Sequence, residues 1–162
     1  MLKYLSLLFT IAIMVTIFLF SAQSAQDSSK LSGKIVNIVI KIVLPHYDEL
    51  PSAKKHEIKE KVTLIVRKIA HFTEFTLLGF FLMMHLISYK PYIKTFNYKM
   101  FIRACISLII GVLYAFSDEI HQMFVADRYS SIYDVMIDGS GVLFGIAILI
   151  LSLPIVLKNF KL

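Results

Sequence analysis

Four apolar runs dominate this sequence, at residues 4–20, 69–89, 101–117 and 139–157. About 20 apolar residues in a helix cross a bilayer, or roughly 17 with favourable flanks. Lipid offers no partner to backbone N–H and C=O groups, so runs of this kind must be helical. Composition agrees. The chain is 57% hydrophobic and 17% charged, against about 45–50% and about 25% in soluble domains. The sequence therefore predicts an all-α polytopic membrane protein, a four-transmembrane-helix bundle forming one domain over residues 1–162. Apolar runs this long and clustered argue against a cytosolic enzyme or a disordered chain, and Cys105, the single cysteine, cannot make an intramolecular disulfide. The net charge of +6 does not point to nucleic acid. Basic residues between spans set orientation or touch anionic lipid, and no basic recognition helix stands apart from the spans.

The first run is expected to remain as an anchoring helix. The alternative is a signal peptide, with Lys3 before the apolar stretch and Ala22-Gln23-Ser24 at a usable cleavage spacing. The third run is short, but Arg103 can snorkel. Pro154 falls in the last turn of the fourth run, where it can bend the helix end without removing the span. Residues 21–68 are more than a linker. Ile35, Val36, Ile38, Val39, Ile42 and Val43 alternate with Lys34, Asn37 and Lys41. This spacing predicts an amphipathic helix with a narrow basic face, lying in the membrane interface and ended by Pro45. A second polar helix is expected from about Ser52 into the second span, with a turn over residues 45–51.

Four spans place both termini on one side with the loop after Lys90. That side carries seven Lys or Arg in two short tails and a short loop, including Lys94, Lys158 and Lys161. The other side carries ten, spread over longer segments. Short, dense loops decide orientation, so both termini are expected in the cytoplasm.

The polar residues are informative whichever way the chain points. The end of the first span, the start of the second, the end of the third and the start of the fourth share one membrane face. There the sequence places Ser21, Gln23, Ser28, Arg67, Lys68, His71, Glu74, Asp118, Glu119, His121, Gln122, Arg128, Asp134 and Asp138. The opposite face shows lysines, an arginine and interfacial aromatics such as Tyr89, Tyr92 and Phe96. Arg67, His71 and Glu74 lie at i, i+4 and i+7, on one helix face. Asp134, Asp138, Gly141 and Gly145 do the same on the fourth span, and Asp118 shares a face with Gln122. An ionised group inside a span costs roughly 2.5–3.5 kcal/mol on insertion scales. Pairing or a wet cleft would offset that cost, and the cheapest arrangement turns Glu74 and Asp138 inward. Arg67, His71, Glu74, Asp118, Glu119, Gln122, Arg128, Asp134 and Asp138 are therefore the candidate polar cleft.

Plainer roles exist for each. Gly141 and Gly145 match the small-xxx-small pattern of close helix packing. Asp134 can cap a helix with Ser130 and Ser131 upstream. Arg67 and Lys68 can be interfacial anchors, His71 with Glu74 a structural pair, and Asp118-Glu119 a solvated helix end. No metal or cofactor is assigned. His71-Phe-Thr-Glu74 is not a His-Glu-x-x-His motif, and Glu119-Ile-His121 sets two side chains about 200° apart on a helix. Acid–base chemistry is open to paired carboxylates beside histidine. There is no nucleophile elbow and no phosphate-binding glycine loop.

Arg67-Lys68-x-x-His71-Phe72-x-Glu74-Phe75-x-x-Leu78-Gly79 resembles the second-span signature of the VanZ-like family. So does Ser117-Asp118-Glu119-x-His121-Gln122-x-Phe124, followed by Arg128 and Asp134. Phe20-Ser21-x-Gln23, with Ser28 and Ser32, resembles the close of that family's first span, and Asp138-Gly139-x-Gly141-x-x-x-Gly145 resembles its fourth. The match runs through essentially the whole chain in order. Asp138 stands where the family often has Asn, adding a titratable group, and Ala126 where it often has Gly. The resemblance implies a small bacterial plasma-membrane protein linked to low-level resistance to the glycopeptide teicoplanin, which is a phenotype rather than a reaction.

Three functions fit. The first is a membrane factor whose polar cleft, at the outer face, binds a lipid-linked cell-wall precursor, another envelope ligand or the glycopeptide's lipid tail, with membrane lipid as its constant partner. The second is an intramembrane enzyme acting on a lipid or prenyl-linked headgroup. The third is an ion- or proton-coupled carrier, which four helices can build only as an oligomer. The sequence itself sets no oligomeric state.

Overall fold

The computed structural model describes residues 1–89 and 98–159, with side chains through Leu153. The loop lysines at 90 and 94, the aromatics at 92 and 96, the side chain of Pro154 and those of Lys158 and Lys161 lie outside the described residues. Among the described residues there are five α-helices, α1 (Leu2–Ser21), α2 (Ala25–Val43), α3 (Ser52–Ser88), α4 (Tyr98–Gln122) and α5 (Ile132–Asn159), and one 3-10 turn at Tyr47–Glu49. The described residues contain no strand. Helices α1, α3, α4 and α5 are each long and apolar enough to cross a membrane. Leu8, Phe9 and Leu19 on α1, Ile109, Leu113 and Phe116 on α4, and Leu143, Phe144 and Leu151 on α5 are exposed. An apolar surface this continuous is stable against lipid and not against water. The chain is a membrane protein.

Two elements run further than their apolar residues alone indicate. Helix α4 continues through Asp118, Glu119 and Gln122, and α5 begins seven residues before position 139. Both extensions carry polar side chains that find partners in neighbouring helices, so leaving the apolar run does not end the helix. Ser131 caps α5: its Oγ accepts from the Tyr133 N–H at 3.2 Å. Asp134 sits in the first turn, favoured there by the helix dipole, and is not itself the cap. In the loop before α5, Asp127 takes a left-handed φ of 58°, which Asp tolerates better than most residues.

Helix α2 is amphipathic, as its spacing predicts, and shows three faces. Val36 and Ile40 are buried on the side packed against α3. Leu31, Ile35, Ile38 and Ile42 form an exposed apolar stripe. Lys30, Lys34 and Lys41 occupy the third face. Such a helix lies in the interface with its apolar stripe in lipid and its lysines at the headgroups.

The most extensive contact in the bundle is α3 against α5. Its closeness depends on glycine. A Cβ on Gly141 would lie 2.6 Å from the Phe72 carbonyl oxygen, and one on Gly145 or Gly79 would overlap a backbone carbonyl of the facing helix. Around this seam pack Phe75, Leu78, Met83, Ala115, Val142 and Ile146, with Ile17 from α1. Polar ties register the other helices. Tyr114 Oη donates to the Met14 carbonyl at 2.6 Å. At the end away from the candidate cleft, His85 Nδ1 lies 3.2 Å from Ser6 Oγ and 3.1 Å from the Lys3 carbonyl.

Candidate polar cleft

The tight α3–α5 seam brings the second span's basic face against the fourth span's acidic one. Lys68 on α3 forms an ion pair with Asp134 on α5. One turn deeper, His71 Nδ1 faces Asp138 Oδ2 at 3.7 Å. The i, i+3 step from Lys68 to His71 and the i, i+4 step from Asp134 to Asp138 set the two pairs one above the other.

Helix α4 closes the third side. Asp118 is 3% exposed and accepts two hydrogen bonds on Oδ2, from Ser21 Oγ and from Gln122 Nε2, each 2.8 Å long. Glu119, also buried, accepts the Ser131 N–H through Oε2 at 2.8 Å, which ties α4 to the start of α5. Neither residue is a solvated helix end.

Arg128, from the α4–α5 loop, reaches back to α1. Its Nε donates to the Gln23 carbonyl at 3.1 Å and an Nη to the Phe20 carbonyl at 3.3 Å, with Gln122 Oε1 at 3.5 Å. Carbonyls at a helix C-terminus have no intrahelical donor and carry the negative end of the dipole, so a guanidinium fits there. Burial, with Arg67 the foremost charged neighbour, pulls the Arg128 guanidinium down to about 10, which leaves it charged at neutral pH.

Two adjoining cavities result. The larger, about 460 Å³, lies among α3, the α4–α5 loop and the start of α5, lined by Arg67, Lys68, His71, Glu119, Arg128 and Asp134 among others. The smaller, about 210 Å³, follows the α2–α3 seam, lined by Leu31, Ile35, Val66, Ala70 and Glu74. Arg67, His71 and Arg128 line both. Arg67 makes no hydrogen bond or ion-pair contact among the described residues, and its acidic neighbour Asp134 is already engaged by Lys68. Two buried carboxylate oxygens also lack hydrogen-bond partners: Glu74 Oε2 and Asp138 Oδ2.

All nine residues of the candidate cleft thus fall at one end of the bundle, in contact with one another or with the two cavities. Some participants lie outside the nine cleft candidates, although the sequence names them on the shared polar face or as capping residues. Lys68 holds Asp134, and Ser21 orients Asp118. Ser131 is both cap and donor to Glu119. His121, named among the polar residues, instead packs its ring against Phe18, with centroids 4.5 Å apart and the planes tilted by 32°. Gly79 joins Gly141 and Gly145 in the seam, but a lone glycine on α3 gives no packing motif to read. His71, Asp118 and Asp138, from three different helices, each place one potential ligand atom within 4.8 Å of the others. A scan for metal spacing along single helices cannot detect such a group.

Residues 6–154 match the model of the VanZ/LLP1 family. No curated protein and no solved structure gives a significant match.

Proposed function

We propose, starting from the fact that this chain belongs to the VanZ/LLP1 family, that it is a bacterial plasma-membrane factor that binds an anionic, lipid-linked envelope ligand and thereby raises tolerance to glycopeptides such as teicoplanin. The observation that carries the reading is Arg67. It stands at the junction of the two cavities, with no ion-pair partner among the described residues, a turn above His71 and beside Arg128. An unpaired guanidinium in a partly desolvated site favours a planar or tetrahedral oxyanion that can take paired hydrogen bonds. The larger cavity accommodates a headgroup. The smaller, walled by Leu31 and Ile35 on the exposed apolar side of α2, accommodates the start of an acyl or prenyl chain. A lipid-linked phosphate has both parts. Orientation with the termini in the cytoplasm places this end of the bundle at the outer leaflet, where cell-wall intermediates and glycopeptides meet the membrane.

Native mass spectrometry of protein released from bacterial membranes tests the proposal. The wild type is expected to retain one anionic lipid-linked molecule per chain and Arg67→Gln to lose it. Release of the wild type free of such lipid, or equal retention by Arg67→Gln, contradicts the reading.

A further inference from the structure

The group at the floor of the cleft has a shape that the lipid-binding reading does not use. His71 on α3, Asp118 on α4 and Asp138 on α5 converge, with one donor atom from each inside 4.8 Å of the others. Asp138 is 1% exposed, and its Oδ2 has no hydrogen-bond partner. The nearest candidate, His71 Nδ1, is at 3.7 Å, beyond hydrogen-bond range. A buried carboxylate oxygen faced only by an imidazole beyond hydrogen-bond range is costly, and a cation between the two would offset that cost. Glu74 adds a third carboxylate nearby, again with a buried oxygen, Oε2, that has no partner.

Charge leads the same way. Asp118, Asp138 and Glu74 surround one imidazole, while Lys68 is committed to Asp134 and Arg128 to the end of α1. The unpaired Arg67 stands a turn above His71, so among the described residues no side-chain cation other than the imidazole lies between the three converging ligands. The donor geometry is also that of a supported ligand. Ser21 and Gln122 both donate to Asp118 Oδ2, which fixes that carboxylate as outer hydrogen bonds fix the ligands of metal sites. His71 lines both cavities, so the centre has an open side towards the cleft.

We propose that His71, Asp118 and Asp138 bind a divalent transition-metal cation, with Glu74 as a reserve ligand. One imidazole nitrogen and two carboxylates suit Zn²⁺ or Mn²⁺, whereas Mg²⁺ and Ca²⁺ prefer all-oxygen sets. Three protein ligands and an open position leave room for water or for a ligand oxygen. The site lies below Arg67, so a headgroup phosphate in the cleft has the cation beneath it and the guanidinium beside it.

The test is metal content by mass spectrometry of tag-free protein in detergent, stripped with chelator, incubated separately with Zn²⁺, Mn²⁺, Mg²⁺ or Ca²⁺, and desalted. The near-isosteric Asp138→Asn and His71→Gln variants are run beside it, with elution as a single monodisperse species confirming their fold. The expected result is about one Zn²⁺ or Mn²⁺ per wild-type chain, held roughly tenfold or more tightly than by either variant. Bound Mn²⁺ should also give a paramagnetic resonance signal with nitrogen coupling that His71→Gln removes. Equal metal content in the wild type and both variants, none in the wild type, or uptake confined to Mg²⁺ and Ca²⁺ would overturn the proposal. Retained lipid is measured on the same samples, so loss of the metal idea alone and loss of the lipid-binding reading are separately visible.

Discussion

Gly141→Ala should loosen the α3–α5 seam and spread the cleft. A Cβ at this position meets the Phe72 carbonyl oxygen at 2.6 Å, where 3.4 Å is ordinary contact, so the two backbones must part by about 0.8 Å. Neither partner is a flexible side chain that can swing aside. Gly141 lies three residues beyond Asp138 on the same face, and the same movement lengthens the 3.7 Å approach of His71 to Asp138. Overpacking of this kind costs about 1–3 kcal/mol. Gly33→Ala on α2 is the matched control, because a Cβ there meets nothing within 4 Å. It keeps the helix-propensity gain of about 0.8–1 kcal/mol that any helical Gly→Ala change carries. Comparing the two variants cancels that gain and leaves the clash, which amounts to a roughly five- to 150-fold difference in the folded-to-unfolded ratio. Unfolding by detergent titration in mixed micelles measures it. Crosslinking yield of a His71→Cys, Asp138→Cys pair with a short reagent, with and without Gly141→Ala, measures the spread. Stability of Gly141→Ala equal to that of Gly33→Ala, with unchanged crosslinking, would refute the claim that backbone contact at this glycine sets the geometry of the cleft.

Glu74→Gln and Asp118→Asn should abolish any teicoplanin tolerance conferred by the wild type at unchanged membrane levels, measured as inhibitory concentration beside immunoblots. Normal tolerance in both would show that these carboxylates serve only assembly. Arg128→Lys should fail to replace Arg128, because an ammonium cannot span the Phe20 and Gln23 carbonyls and Gln122 together. The readout is faster protease cleavage near residues 22–28, and wild-type resistance counts against the clamp. Lys68→Ala should change stability by less than about 1 kcal/mol, since its pair with Asp134 is part-exposed; a larger loss by the same detergent titration means the pair is a structural tie. Ala25→Cys and Tyr129→Cys should label from outside intact cells and Tyr98→Cys should not, and the reverse pattern inverts the orientation.

Much of this architecture is legible in the residues. The spans follow from apolar length, and α2 from the spacing of its lysines and isoleucines. The i, i+4 steps from Arg67 to His71 and from Asp134 to Asp138 place each pair on one helix face by spacing alone. Helix limits are less legible. An apolar run ends where polar side chains begin, yet Asp118, Glu119 and Gln122 stay helical because Ser21, Ser131 and Arg128 satisfy them from elsewhere in the chain. Pairings between helices are not legible at all. That Asp134 takes Lys68 rather than Arg67 depends on the rotation of α3 against α5, which is set by glycines at 79, 141 and 145 and not by the charges. The convergence of His71, Asp118 and Asp138 depends on three such rotations together.

Under the proposed function, the polar ends of four spans form one lipid-binding cleft entered along α2 and α3. Photocrosslinking with a phosphate-headed lipid carrying a diazirine near the headgroup tests it most directly, using wild-type protein in bilayers and peptide mapping of the adducts. Adducts are expected to concentrate at residues 28–35 and 64–74 and to be lost in Arg67→Gln. Adducts scattered over the lipid-facing sides of α1, α4 and α5, indifferent to Arg67, would contradict it.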